Sequence, residues 1–155
     1  GALFDSMNVF DNLAYPLREH TNLNENEIAN EINKTLEEFG LEGNAEIFPS
    51  ELSGGMQKRV GLARSIIIKP HIVLFDEPTA GLDPYNTIKI QETILKLKEK
   101  GMTSIFVTHD MPSAFAVCDR MALVQEGKIS CIETIDNIKQ DSQNIINQFV
   151  KGYYV

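Results

Sequence analysis

Residues Leu52–Pro84 read LSGGMQKRVGLARSIIIKPHIVLFDEPTAGLDP. Ser53, Gly54 and Gly55 stand ahead of the apolar positions Val60, Leu62, Ala63, Ile66 and Ile67, a spacing that predicts a helix opening at a Ser-Gly-Gly turn. Two glycines let backbone N–H groups come close to an anion, and a helix N-terminus favours negative charge. Ile72-Val73-Leu74-Phe75 is a continuous apolar run, which predicts a parallel strand covered on both faces. Asp76 and Glu77 stand at its carboxyl end, where ligands sit in open α/β sheets. There a carboxylate can hold Mg²⁺, directly or through its waters, and a second one can orient or deprotonate an attacking water. A tight loop, Ala80-Gly81-Leu82-Asp83-Pro84, follows, and the whole stretch has the layout of a phosphate-handling site built on a buried strand.

Upstream, Asn24 to Gly40 carries strong helix signals. Asn24 is an N-cap with Glu27 three residues on as its capping-box partner, and Gly40 suits the position just past the C-terminus. Ile28, Ile32, Leu36 and Phe39 make one apolar face, opposite a solvated face of Glu25, Asn26, Glu37 and Glu38. Gly1 to Thr21 mixes apolar and aromatic residues with Asp5, Asp11 and a break at Pro16; Phe4, Met7, Val9 and Phe10 suit core packing or contact with a partner equally well. Glu42 to Pro49 reads as a connector, and Lys58 as a solvated charge on the helix that follows.

Downstream, Tyr85 to Lys100 predicts a helix with Ile88, Ile94, Leu95 and Leu97 inward, ended by Gly101. Ser104 to Thr108 predicts a second buried strand leading into His109, and Pro112 to Val117 begins another helix. Met121 to Val124 and Ile129 to Ile132 flank a turn and predict a β-hairpin; Thr134 to Val150 reads as helix in pieces.

The 155 residues suffice for one domain with a real core, and a hydrophobic fraction of 43% fits a globular chain. A formal charge of −8 speaks against a nucleic-acid footprint. Cys118 and Cys131 lack metal-ligand spacing and read as reduced thiols of a cytosolic protein. No apolar run approaches the ~18 residues that span a bilayer, and no signal peptide is visible, so a membrane role is expected to come through partners.

The residues now carry a family resemblance. Leu52-Ser53-Gly54-Gly55-Met56-Gln57 resembles the signature motif of ATP-binding cassette (ABC) ATPases, with Met56 where glutamine is commoner. Ile72–Glu77 resembles their Walker B strand, Ala80-Gly81-Leu82-Asp83 their D-loop, and Thr108-His109-Asp110 their switch histidine, in family order and spacing. Gly1-Ala2-Leu3-Phe4-Asp5-Ser6, Pro16-Leu17-Arg18-Glu19-His20 and Leu52–Met56 are similar to the lipid-transport (Mla/MCE-associated) branch.

The resemblance implies an α/β fold: a partial P-loop NTPase-like (RecA-like) parallel-sheet core with an α-helical subdomain. Residues 1–68 would form the helical subdomain with the signature motif, and 69–155 the C-terminal part of the core. It also implies ATP and Mg²⁺ as cofactors, Asp76 supporting the metal, Glu77 activating water and His109 contacting the γ-phosphate. Leu52, Ser53, Gly54, Gly55, Met56 and Gln57 would meet nucleotide held by a second copy in a head-to-tail homodimer, and Asp83 would link the two sites. The implied partners are a transmembrane permease, whose coupling helix would lie near Gly1–His20, and an MCE-type substrate-binding protein, with no nucleic acid. The implied place is the cytoplasmic face of the inner membrane, peripherally bound, and the implied work is ATP-driven transport of phospholipid or hydrophobic compounds.

No Gly-x-x-x-x-Gly-Lys-Ser/Thr phosphate loop occurs in the sequence; Gly127-Lys128 is followed by Ile129. The expectation is therefore a C-terminal fragment of an ABC ATPase, inactive by itself. Two rivals remain: an ABC-type ATPase of DNA repair or chromosome maintenance, disfavoured by the absence of a sustained heptad run, and a non-catalytic module that docks a permease, which ATP turnover would separate.

Overall fold

A computed structural model describes residues 3–152; Gly1 and Ala2, which open the segment assigned to partner contact, and Tyr153–Val155 lie outside the described residues. The first half is helical. Helix α1 (Val9–His20) is capped by the Asn8 side chain and runs straight through Pro16. The expected break is absent because the helix is held from outside: Val9, Leu13, Ala14 and Leu17 lie in the core. Helix α2 (Glu25–Glu38) carries the Asn24–Glu27 capping box. Gly40, at φ +60°, lets the Gly40 and Leu41 amides turn back onto the carbonyls of Glu37 and Leu36. Ile28, Ile32, Leu36 and Phe39 are all buried, as their spacing predicts.

A 3-10 turn (Pro49–Glu51) leads into α3 (Gly54–Ile66), followed by strand β1 (Ile72–Asp76), helix α4 (Pro84–Glu99) and strand β2 (Thr103–Val107). Strands β1 and β2 pair in parallel, Leu74 opposite Ile105 and Asp76 opposite Val107. One face of this pair is not covered: Ile72 is 59% exposed, Leu74 72%, Ile105 54% and Val107 57%. This corrects the expectation of strands buried on both sides. Among the described residues β1 pairs only with β2, and Val73 and Phe75 alone of the β1 apolar run turn into the core. On α4 the inward residues are Ile90, Ile94 and Leu97, with Leu95 packed at their margin; Ile88 is exposed, contrary to the predicted face.

Helix α5 (Met111–Val117) precedes the hairpin of β3 (Arg120–Gln125) and β4 (Lys128–Thr134), closed by Glu126 and Gly127, both at positive φ as a two-residue primed turn demands. Short helices α6 (Ile135–Gln140) and α7 (Ile145–Val150) follow. One buried cluster joins α1, α2, α3, β1, α4 and Val117 of α5, and a smaller one gathers Leu123, Ile135, Ile138 and Ile146. Cys118 and Cys131 are both free, and burial raises the Cys118 thiol above its ordinary pKa. No described helix is long and apolar enough to cross a membrane. The architecture is α/β, with a parallel strand pair and a helical first half.

Candidate functional site

Three of the predicted residues, Asp76, Glu77 and His109, stand at the carboxyl ends of β1 and β2, and two of them, Glu77 and His109, meet. The Glu77 amide continues the ladder by donating to the Val107 carbonyl at 2.9 Å, and this places the residue beside the turn that follows β2. Glu77 sits at φ +46°, a left-handed conformation that is costly for a residue with a side chain. Its carboxylate is held by three donors. Thr108 Oγ1 donates to Oε2 at 3.0 Å, the His109 amide donates to Oε1 at 3.0 Å, and His109 Nδ1 lies 2.7 Å from Oε1. The hydrogen bond to His109, helped by the one from Thr108, draws the Glu77 carboxyl below its ordinary pKa, and the same contact draws the imidazole above its own. The His109 side chain is 83% exposed, so Nε2 is open to a ligand.

Asp76 is exposed at the strand end, and its carboxylate makes no hydrogen bond or ion pair with any described residue. No group of three or more His, Cys, Asp or Glu residues is gathered in metal-ligating array among the described residues. That donor set suits Mg²⁺, which takes one or two carboxylates together with waters and phosphate oxygens rather than an all-protein cage.

The signature segment is built differently. Ser53 is the N-cap of α3, its hydroxyl accepting from the Met56 amide at 3.3 Å. The Gly54 and Gly55 amides have no partner among the described residues, as befits the first turn of a helix. Gly54 has open space where a Cβ would stand, whereas a Cβ on Gly55 would run into the Asn86 carboxamide. Asn86 is itself tied to Asp83, which caps α4 by accepting from the Asn86 amide at 3.0 Å. These hydrogen bonds from Asn86 draw the Asp83 carboxyl below its ordinary pKa. Leu52 is buried, Met56 packs at the edge of the core, and Gln57 Nε2 donates to the Pro49 carbonyl at 2.8 Å. Of the six signature residues, then, Ser53 and Gly54 face outward, while the other four shape the turn.

Several residues outside the predicted set join these pieces. Lys58, read from the sequence as solvated, is half-buried and donates to the carbonyls of Glu77, at 3.4 Å, and Ala80. Its sequence signal is its place three residues after Gly55, on the side of α3 that faces Asn86. Asp110 accepts from buried Thr79 at 2.9 Å and from buried Ser113, which in turn accepts from Gln91 of α4 at 2.8 Å. Burial works to raise the Asp110 carboxyl, but the hydrogen bonds from Ser113 and Thr79 outweigh it and the net shift is downward. Arg59 reaches the Phe39 carbonyl that ends α2. Arg64 donates to Asn12 Oδ1 at 3.1 Å and lies over the Phe4 ring.

With this geometry in place, comparison with known proteins is informative. The model of a family described as "ABC transporter" matches residues 2–80. The chain belongs to that family. It is 40% identical over 153 residues to the intermembrane phospholipid transport system ATP-binding protein MlaF of Haemophilus influenzae, covering 98% of this chain and 58% of that protein. Identity to the protein of the same name from Escherichia coli K12 is 39%, with 57% of that protein covered. A Mycobacterium leprae protein named "Probable ribonucleotide transport ATP-binding protein mkl" is 39% identical over 98% of this chain and 44% of its own length. The chain thus spans about 58% or less of the length of these relatives. Among solved structures it resembles the dimeric post-hydrolysis state of the ATP-binding cassette MJ0796 bound to ADP and Pi. The TM-score is 0.77 at 30% identity, covering 86% of this chain and 59% of that one.

Proposed function

We propose that this chain is part of an ABC ATPase that couples ATP binding and hydrolysis to membrane transport of phospholipid or other hydrophobic compounds. The observation that carries the reading is the meeting of Glu77 and His109, Oε1 to Nδ1 at 2.7 Å, beside unpartnered Asp76 at the ends of two parallel strands. Two relatives are named for phospholipid transport, which supports the substrate class.

Asp76 would hold Mg²⁺, which when bound neutralises phosphate charge. Glu77 is the general base. Oε1 is occupied by both His109 donors, but Oε2 accepts only from Thr108 and keeps a lone pair for the proton of a water attacking the γ-phosphorus. The proton stays on Oε2 while ADP departs as leaving group. His109, with Nδ1 on Glu77, presents Nε2 to a γ-phosphate oxygen. Ser53 and Gly54 meet the γ-phosphate of ATP held by a second copy in a head-to-tail dimer, around a turn shaped by Leu52, Gly55, Met56 and Gln57. Asp83 would join the two sites. The proposed division is a helical part to residue 68 and a core part from 69. Of Phe4, Met7, Val9 and Phe10, Val9 is buried in the core, so exposed Phe4 and half-buried Met7 and Phe10 would be the ones to meet a permease helix, with the assembly peripheral on the cytoplasmic face of the inner membrane and an MCE-type protein as a further partner.

The test is Glu77→Gln in the full-length protein. Single-turnover hydrolysis should fall by roughly 10²–10⁴-fold while ATP binding persists. Unchanged hydrolysis would remove Glu77 from the role.

A further inference from the structure

We propose that Lys58 is a positioning residue whose ammonium ties the Glu77–Ala80 turn to the signature helix, so that the base and the N-terminus of α3 are set as one unit. The inference rests on the ATPase reading for its kinetic consequence, though not for the clamp itself.

The turn begins with an unfavourable backbone. Glu77 at φ +46° costs energy that neighbouring contacts must offset. Were φ to relax to the right-handed or extended region, the carboxylate would leave the reach of Thr108 and His109. Several contacts oppose that relaxation. The Ala80 amide donates to the Glu77 carbonyl at 3.2 Å, and the Leu82 amide to the Thr79 carbonyl at 3.2 Å. Thr79 is anchored on the far side by its hydroxyl bond to Asp110. Lys58 supplies a further contact, and among the described residues it alone hydrogen-bonds the turn from α3.

Lys58 is suited to this work. An ammonium carries three donors on a flexible stem and can serve two carbonyls together. Lys58 donates to the Ala80 carbonyl and to the Glu77 carbonyl, the latter at 3.4 Å, the long end of the hydrogen-bond range. Lys58 pairs with no carboxylate among the described residues, so its charge is directed wholly at the turn. A second seam lies alongside: Gly55 leaves room for Asn86, which is held by Asp83 at the end of the same loop. Displacement of α3 at its N-terminus is therefore transmitted to both ends of the segment from Glu77 to Asp83. A signal received at Ser53 would reach the chain's own Glu77 through Lys58, a route within one chain.

The experiment compares Lys58→Met, which keeps length and loses the donors, with Lys58→Arg, which keeps charge and donors. The first readout is amide hydrogen exchange at Ala80 and Leu82 in the protein without nucleotide. The second is steady-state ATPase activity of the full-length protein. In Lys58→Met both amides should exchange at least about tenfold faster, the fold-change that corresponds to about 1.4 kcal/mol. The rate constant kcat should fall by a similar factor with KM for ATP unchanged, because the Lys58 ammonium is committed to backbone carbonyls of the turn. Lys58→Arg should restore most of both. Equal exchange in wild type and Lys58→Met overturns the clamp whatever the kinetics show. Faster exchange with unaltered kcat overturns the positioning of Glu77. A wild-type protein without ATPase activity overturns the ATPase reading, and the exchange result still decides the clamp.

Discussion

Replacing Asn12 by alanine should destabilise the protein far more than its size suggests. Asn12 is fully buried, and its carboxamide has five polar contacts within hydrogen-bond distance. Oδ1 accepts from the Phe4 amide at 2.9 Å and from Arg64 at 3.1 Å; the two hydrogens on Nδ2 are shared among the carbonyls of Phe4, Met7 and Asn8 at 3.0–3.1 Å. The Phe4 and Met7 segments lie near the surface, so water can replace some of these bonds. A net of about 1 kcal/mol for each of two enclosed neutral bonds, and about 1.5–3 kcal/mol for the one to a charged group, gives a loss of about 4 kcal/mol. For a chain of this size that is a fall of roughly 8–16 °C in Tm. Urea unfolding of Asn12→Ala, Arg64→Met and the double variant measures the effect. The cycle isolates the Asn12–Arg64 bond from the other contacts of Arg64, including the one over the Phe4 ring. A coupling of about 1.5 kcal/mol or more is expected. A single-variant loss below about 1 kcal/mol, or a coupling below about 0.5 kcal/mol, would refute the reasoning.

The His109–Glu77 pair should show in a pH titration. The raised His109 pKa means its contribution to stability is complete below ~6.5 and lost as pH rises through the folded value; the lowered Glu77 pKa means its contribution is present above ~4.3 and lost as pH falls through the folded value. The imidazole resonances of His109 should therefore titrate above ~6.5 in the wild type and return toward that value in Glu77→Gln. Asp110→Ala orphans the buried hydroxyl of Thr79 and removes a partner of Ser113, and should cost about 2–4 kcal/mol in urea unfolding; a loss under about 0.5 kcal/mol would mean that water takes its place. The 155-residue chain contains no phosphate-loop sequence, so calorimetry with MgATP should detect no micromolar binding, and a micromolar dissociation constant would reveal a nucleotide site of another kind.

Features written in local chemistry were legible from the residues. Asn24 with Glu27, Ser53 ahead of two glycines, and Gly40 past α2 are short-range signals, and each does in the structure what its side chain or backbone dictates. The apolar run ending in Asp76 and Glu77 marked a strand end, and it is there that the structure brings Glu77 and His109 together. Features set by distant neighbours were not legible. Pro16 is tolerated in α1 because tertiary burial of Leu13 and Leu17 outweighs one missing N–H. Lys58 looks solvated until the turn after Glu77 is seen to present it with carbonyls. Ile88 and Ile90 are equally apolar, and only the placement of α4 decides which is inward. Arg59 and Arg64 gave no hint of whether they would meet a backbone carbonyl or an aromatic ring.

The open face of β1 and β2 governs how the isolated chain behaves in a test tube. Leu74 and Ile105 stand side by side there, flanked by Ile72 and Val107, and among the described residues no further strand pairs with the outer edges of β1 and β2. Such a surface adheres to copies of itself and templates further strand pairing. A formal charge of −8 keeps molecules apart near neutral pH by mutual repulsion. That protection weakens as carboxylates take up protons or as salt screens them. Precipitation on mild acidification, relieved by a lysine at Leu74 or Ile105, is the practical signature of this one uncovered face.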